Sequence, residues 1–251
     1  MNAKQALRIS RIHLPVTASD VGHTHTISGD KAHYIRNVLR LKKHHPLIFF
    51  TQDGHEFCAE IQDIQRHDIV LNNIIKSGAA IEPAKLNITV VQAISAGDRM
   101  DYTVQKSAEM GVVKLIPVFS NYCSHKIPAN KIDKKRAHWQ AIANSACEQS
   151  GRCDLVHIAT PCLLEDAIKT HGHNGLYLEP TARNKIINLP DDLKADLAVF
   201  IGPEGGFSDV EIASFESAGM FGTQLGQRIL RTETAAPVIL AAVHTLFGDF
   251  S

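Results

Sequence analysis

Two stretches near the C-terminus concentrate residues able to do chemistry, 201-IGPEGGF-207 and 225-LGQRILRTETAA-236. In the first, Gly202, Gly205 and Gly206 follow an apolar run, so the backbone there can approach a ligand closely. Polyphosphate is a poor fit for that ligand. The G-x-x-x-x-G-K-[ST] spacing and the G-x-G-x-x-G spacing are both missing, and the Glu204 carboxylate repels phosphate. A neutral or cationic ligand suits the loop better. The second stretch sets Arg228 and Arg231 three residues apart, with Thr232, Glu233 and Thr234 following and Gly226 as a further permissive backbone position. Packing alone rarely calls for two arginines and a glutamate among apolar residues at the mouth of a helix. A third element, 148-EQSGR-152, spaces Glu148 and Arg152 four apart, the separation of an ordinary helical ion pair.

The elements that position these residues follow from periodicity. Short runs rich in β-branched and aromatic residues, 47-LIFF-50, 56-EFCAEI-61 and 69-IVLNNII-75, predict strands, with an Asp-Gly turn at 53–54. A basic helix is expected over 29–40. The stretch 76-KSGAAIEPAK-85 reads as a linker. Beyond it, strands at 86–94, 112–119, 155–159, 175–179 and 196–201 alternate with helices at 98–111, 131–151, 162–172 and 208–219. Asp98 is expected to cap the first of these helices, and Ser208 with Glu211 forms a capping box on the last. A short edge strand is expected within 220–226. A final helix near 233–247 tolerates Pro237 only close to its first turn. Such alternation predicts an α/β fold with a mostly parallel sheet covered on both faces, and ligands at the carboxyl ends of its strands.

The 251 residues, 44% of them hydrophobic, suffice for one large core or two smaller ones. Lys plus Arg balance Asp plus Glu at 26 each, so no global field recruits a polyanion, and any such partner is met locally. Two basic runs offer that, one over residues 1–46 and one at 126-KIPANKIDKKR-136. The five cysteines form no C-x-x-C pair and the histidine clusters lack zinc spacing, so no metal site is expected. The start carries no apolar leader and no stretch reaches the length of a membrane span, which favours a cytoplasmic setting.

Five stretches in order closely resemble the RsmE family, bacterial methyltransferases of the SPOUT superfamily that modify N3 of a uridine in 16S ribosomal RNA. They are 33-HYIRNVLR-40, 97-GDRMDYTVQKSAEMGV-112 with 116-IPVFS-120, 144-NSACEQSGR-152, 201-IGPEGGFSDVE-211 and 225-LGQRILRTETA-235. Met110, where the family typically has leucine, and Cys147, where it has a small residue, are the departures. The resemblance implies a PUA-like β-barrel over residues 1–76, a linker at 77–85 and a SPOUT catalytic domain over 86–251. The resemblance further implies that this domain carries a deep C-terminal trefoil knot and works as a homodimer. The general rule against knotted chains would favour an ordinary doubly wound sheet, a default that the resemblance overrides.

The resemblance also implies S-adenosylmethionine as cofactor. Three loops would hold it: Leu178 and Glu179; Gly202, Pro203, Glu204, Gly205 and Gly206; and Leu225, Gly226, Ile229, Leu230 and Thr234. Uracil N3 must lose its proton, with charge spreading to O2 and O4. Arg231 first and Arg228 second are the expected donors to that charge. Glu233, Glu148 or solvent would take the proton. RNA contact is expected from Arg8, Arg11, His33, Arg36 and Arg40 in the barrel and from Arg99, Gln149 and Arg152 beyond it. The expected substrate is ribosomal RNA within an assembled small subunit.

Overall fold

The structure, a computed structural model, describes residues 9–77, 85–124 and 127–250. Arg8 and residues 78–84 of the expected linker lie outside them. The chain divides into two compact units. The first holds the described residues up to Ser77 together with Cys147–Leu155, and the second holds the rest. The segment Cys147–Leu155, placed by the sequence in the C-terminal domain, thus packs with the N-terminal strands.

The first unit is a curled five-stranded half-barrel in the order β1-β3-β4-β5-β2. Its strands are β1 (Ser10–Leu14), β2 (His25–Ser28), β3 (Pro46–Thr51), β4 (Glu56–Ile64) and β5 (Asp68–Lys76). β1 runs parallel to β3, and the other pairs are antiparallel. Alternate residues of these strands point inward, so Ile12, Leu47, Phe49, Ile61, Ile69 and Leu71 fill one core. The basic helix is shorter than its pattern suggests. α1 (Gly29–His33) passes into a π-turn over Tyr34–Val38 that buries Ile35, and Arg40 is left-handed at φ 54°.

Arg11, expected to contact RNA, is enclosed within the first unit. Its side chain is only 10% exposed, its Nε donates to Glu56 Oε2 at 2.8 Å, and its guanidinium lies 4.2 Å from the Phe50 ring centroid. The remaining donors reach the Cys147 carbonyl and Cys153 Sγ. An ion pair this enclosed is costly to break from one side, because the partner charge is left buried. Arg11→Ala is therefore expected to destabilise the protein by about 3 kcal/mol in urea unfolding. The salt dependence of RNA binding by the folded fraction should stay at the wild-type value.

The second unit is built on one wholly parallel sheet, ordered β11-β13-β10-β12-β6-β7-β8, with β9 also on β7. In chain order these are β6 (Asn87–Ala93), β7 (Lys114–Phe119), β8 (His157–Ile158), β9 (Cys162–Leu163), β10 (Gly175–Leu178), β11 (Asn184–Lys185), β12 (Asp196–Ile201) and β13 (Phe221–Gln224). β6 and β12 are central and buried on both faces, as their near-continuous apolar runs require. The helices are α2 (Asp98–Glu109), α3 (Ile132–Ser150), α4 (Leu164–His171), α5 (Asp209–Ser217) and α6 (Thr232–Phe247). On one side Phe215 of α5 stacks on Tyr177 of β10 at 4.7 Å and meets Phe200 and Phe207 edge-on. α6 packs against α2 and turns Ala235, Ala236, Ile239, Leu240 and Val243 inward at helical spacing.

Three local expectations change. β13 is not an edge strand: it lies between β10 and β11, because Asn184–Lys185 adds a further strand outside it. α2 is capped by Gly97 rather than Asp98, which frees Asp101 to pair with His138 at 2.8 Å and to accept from Trp139 Nε1. Pro237 is the sixth residue of α6, not a first-turn residue, so the Glu233 carbonyl loses its helical donor there. The Ser208–Glu211 capping box forms as expected. Among the described residues no helix is long and apolar enough to cross a membrane.

Candidate active site

Because β10, β12 and β13 are mutually parallel, their carboxyl ends open on one edge of the sheet. The loops that follow, at 178–180, 201–206 and 224–231, enclose a cavity of about 430 Å³. This size falls within the usual range for a small-molecule site. Two glycines permit its shape. Gly206 at φ 74° and Gly226 at φ 81° occupy the left-handed region that a side chain disfavours. Alanine at Gly206 is expected to cost cofactor affinity about tenfold through that backbone strain, measured by calorimetry with S-adenosylmethionine. Unchanged affinity would remove the glycine loop from the binding site.

A buried hydrogen-bond relay ties the loops together. Gln92, fully buried at the end of β6, donates from Nε2 to Thr232 Oγ1 at 2.9 Å, and Thr232 donates on to the Gly202 carbonyl at 2.6 Å. One relay thus joins the first residue of α6 to the glycine loop through a strand more than 100 residues earlier. Thr223, also buried, donates to the Asn184 carbonyl behind the wall.

The cavity walls carry most of the residues the sequence nominates. Leu178, Glu179, Gly202, Pro203, Glu204, Gly206, Leu225, Gly226, Ile229 and Leu230 all line it, as do Arg228, Arg231 and Glu233. Ile229 stands at the rim with 86% of its surface exposed. Arg228 and Arg231 are exposed, and neither makes an ion pair among the described residues. Glu233 is half-buried, and its Oε2 is shielded from solvent without a protein donor. Buried carboxylate oxygens are normally hydrogen-bonded, so this atom is available to a ligand.

Other nominated residues lie elsewhere. Arg99, expected to contact RNA, stands in the cavity wall, and its Nη1 donates to Glu204 Oε1 at 2.6 Å. Burial pushes the Glu204 carboxyl up, but its own backbone N–H, the Arg99 guanidinium and the Ala96 backbone outweigh this and hold it below the ordinary range. Gly205 and Thr234 do not line the cavity. A Cβ on Gly205 would stand 3.0 Å from that of Tyr122, and the exposed Thr234 only continues the first turn of α6.

Glu148 is committed inside the first unit, where Oε1 accepts from the His13 amide at 2.8 Å and from Lys31 Nζ at 2.7 Å. Burial, then the Lys31 ammonium, push the neighbouring His13 imidazole down, against the pull of Glu148. Arg152 is buried and paired with Asp154, so it lines no open cleft. Gln149, His33 and Arg40 are exposed, and Arg36 is half-buried with its guanidinium on the Gln65 and Arg66 carbonyls.

Pro180, Ile201, Thr232 and Ala235, from the stretches singled out in the sequence, also line the cavity, as does Thr223, and Gln92 holds it; Thr223 and Gln92 were not expected there. Only a lone amide in the apolar run 88-ITVVQAI-94 signals Gln92 in the sequence.

Residues 82–244 match a model of an RNA methyltransferase domain, and residues 27–72 match an RNA methyltransferase PUA domain. With the parallel sheet and its strand-end cavity, these define a SPOUT-type RNA methyltransferase carrying a PUA-like N-terminal unit. The chain is 34% identical to ribosomal RNA small subunit methyltransferase E of Buchnera aphidicola subsp. Schizaphis graminum, over 97% of this chain and 99% of that one. It is 31% identical to the protein of the same name from Buchnera aphidicola subsp. Acyrthosiphon pisum, covering 92% and 91%. The crystal structure of a ribosomal RNA small subunit methyltransferase E from Neisseria gonorrhoeae bound to S-adenosyl methionine superposes with a TM-score of 0.90. The sequences there are 32% identical, over 97% of this chain and 100% of that one. The chain belongs to the ribosomal RNA small subunit methyltransferase E family.

Proposed function

We propose that this protein methylates N3 of a specific uridine in 16S ribosomal RNA, with S-adenosylmethionine as donor. The observation that carries this reading is the cavity at the ends of β10, β12 and β13, where apolar walls, two exposed arginines and the unpaired Glu233 Oε2 converge. Its lining suits the donor. Leu178, Leu225 and Leu230 offer apolar faces to an adenine ring, the glycine loops offer backbone groups to its edge, and no phosphate cradle is present. Glu204 is neutralised by Arg99, so the cavity imposes no strong negative field of its own at that rim. When bound, the cofactor supplies an electrophilic methyl on a sulfonium.

The chain's own residues do the rest. Glu233 Oε2 accepts the N3 proton of the uracil, and the negative charge spreads to O2 and O4. Arg231 and, beside it, Arg228 donate hydrogen bonds to that charge, where preformed donors are most effective. The deprotonated N3 takes the methyl as the bond from that carbon to sulfur breaks, leaving a neutral thioether, and Glu233 releases its proton to solvent. Reaching N3 requires the base to leave its stack. His33, Arg36 and Arg40 on the first unit are the remaining barrel groups for holding the surrounding phosphates.

The substrate within this reading is the assembled small subunit, since a chain with balanced charge gains little global attraction for naked RNA. The protein acts as a homodimer in the cytoplasm. Val238 and Leu246 on α6, which follows the site, support the dimer as exposed apolar side chains.

Labelled methyl transfer to small subunits and to naked RNA, followed by nuclease digestion and mass spectrometry, tests the reading. N3-methyluridine from small subunits is expected. A ribose methyl would show that the site serves a different acceptor. Light scattering after gel filtration reports the dimer.

A further inference from the structure

The connection from β7 into α3 carries features that neither the fold nor the cavity explains. Asn121 anchors it twice: its amide donates to Glu211 Oε1 at 2.8 Å, and its Nδ2 donates to Ser208 Oγ at 2.8 Å. On this fixed backbone the next residue, Tyr122, is 54% exposed and lies against Gly205, between the two cavity residues Glu204 and Gly206. A large aromatic ring held in solvent beside a cavity mouth is wasted as packing.

Further along, Lys131, at the end of the 3-10 turn Ala129–Lys131, and Lys134, Lys135 and His138 on the start of α3 follow i, i+3, i+4, i+7 spacing. Lys135 lies over the Trp139 ring at 6.0 Å, and His138 is taken by Asp101. Lys131 and Lys134 are exposed and without an ion pair among the described residues. Cations at the positive end of a helix oppose its dipole, so folding does not favour them there. Asp101 fastens this stretch to α2, whose first turn places Arg99 in the cavity wall.

We propose that Tyr122 and the lysines at the start of α3 mark the track for the RNA strand flanking the methylated base, with Tyr122 stacking a nucleobase at the cavity mouth and Lys131 and Lys134 holding successive phosphates. An aromatic platform followed by lysines is the general design for gripping single-stranded nucleic acid. It is distinct from the barrel's basic groups and rests on the RNA methyltransferase reading above.

Binding to labelled small subunits across a salt series separates the two contributions. Tyr122→Ala is expected to weaken binding about tenfold at every salt concentration, with Tyr122→Phe restoring it. Lys131→Gln with Lys134→Gln should instead lower the slope of log affinity against log salt by about 1.5. Arg136→Gln, on another side of α3, should leave the slope at the wild-type value. Calorimetry with S-adenosylmethionine should give wild-type affinity for all of these variants, which shows that the second unit is folded. Wild-type binding by Tyr122→Ala, or a slope unmoved by the lysine pair or moved equally by Arg136→Gln, overturns the track. A wild-type protein that methylates neither small subunits nor naked RNA overturns the RNA reading beneath it.

Discussion

Alanine at Arg231 is expected to lower the single-turnover rate of methyl transfer by about 10²–10³, with cofactor affinity changed by less than about threefold. The structure separates the two functions of this residue. Its backbone forms the N-cap of α6, and its carbonyl accepts from the Thr234 and Ala235 amides, a role alanine keeps. Its guanidinium is exposed at the cavity, free of carboxylates and able to meet charge developing on the uracil oxygens. A donor aimed at charge present only in the transition state acts on the rate rather than on binding. Lysine at this position should recover part of the rate, since it restores the charge without the planar two-donor geometry. Single-turnover rates with saturating donor decide the matter. A wild-type rate from Arg231→Ala would transfer the role to Arg228.

Glutamine at Glu233 is expected to cost about 10²–10⁴ in the same rate, because it keeps the shape of the side chain and removes the proton acceptor. Glu148→Gln is its counterpart. That carboxylate already satisfies His13 and Lys31 in the first unit, so its loss should show as a lower urea midpoint, with little change in the rate of the folded enzyme. The opposite pattern, a fast Glu233→Gln and a dead but stable Glu148→Gln, would place the base outside this cavity. If both variants react at the wild-type rate, solvent takes the proton and the arginines alone carry the chemistry.

Much of the cavity was legible in the chain because its parts are local. The turns 202-GPEGG-206 and 225-LGQRIL-230 combine backbone permissiveness with apolar or acidic side chains within a few residues, and the strand before the first is a short apolar run. The capping box of α5, the order of strands and helices and the division between strand-rich and alternating halves likewise rest on periodicities of two or about four residues. Those same periods misplace what depends on neighbours. Nothing local marks Asn184–Lys185 as the strand that covers β13. Nor does anything local tell the exposed Arg40 from the enclosed Arg11, although both are arginines in one basic stretch.

The sequence by itself determined the α/β alternation beyond residue 86 and the turns that line the cavity, since each is written in residue types within one turn or one strand, whereas β1, β2 and β11 escaped it. Only the tertiary structure decided the fate of each charge and amide. Arg11 finds Glu56, Glu148 finds His13 and Lys31, Arg99 finds Glu204, and Gln92 finds Thr232. The physical reason is the range of the interactions. Backbone propensity is settled among neighbours, whereas a buried polar group is satisfied by whichever partner the fold brings within about 3 Å, here from 45 to 140 residues away.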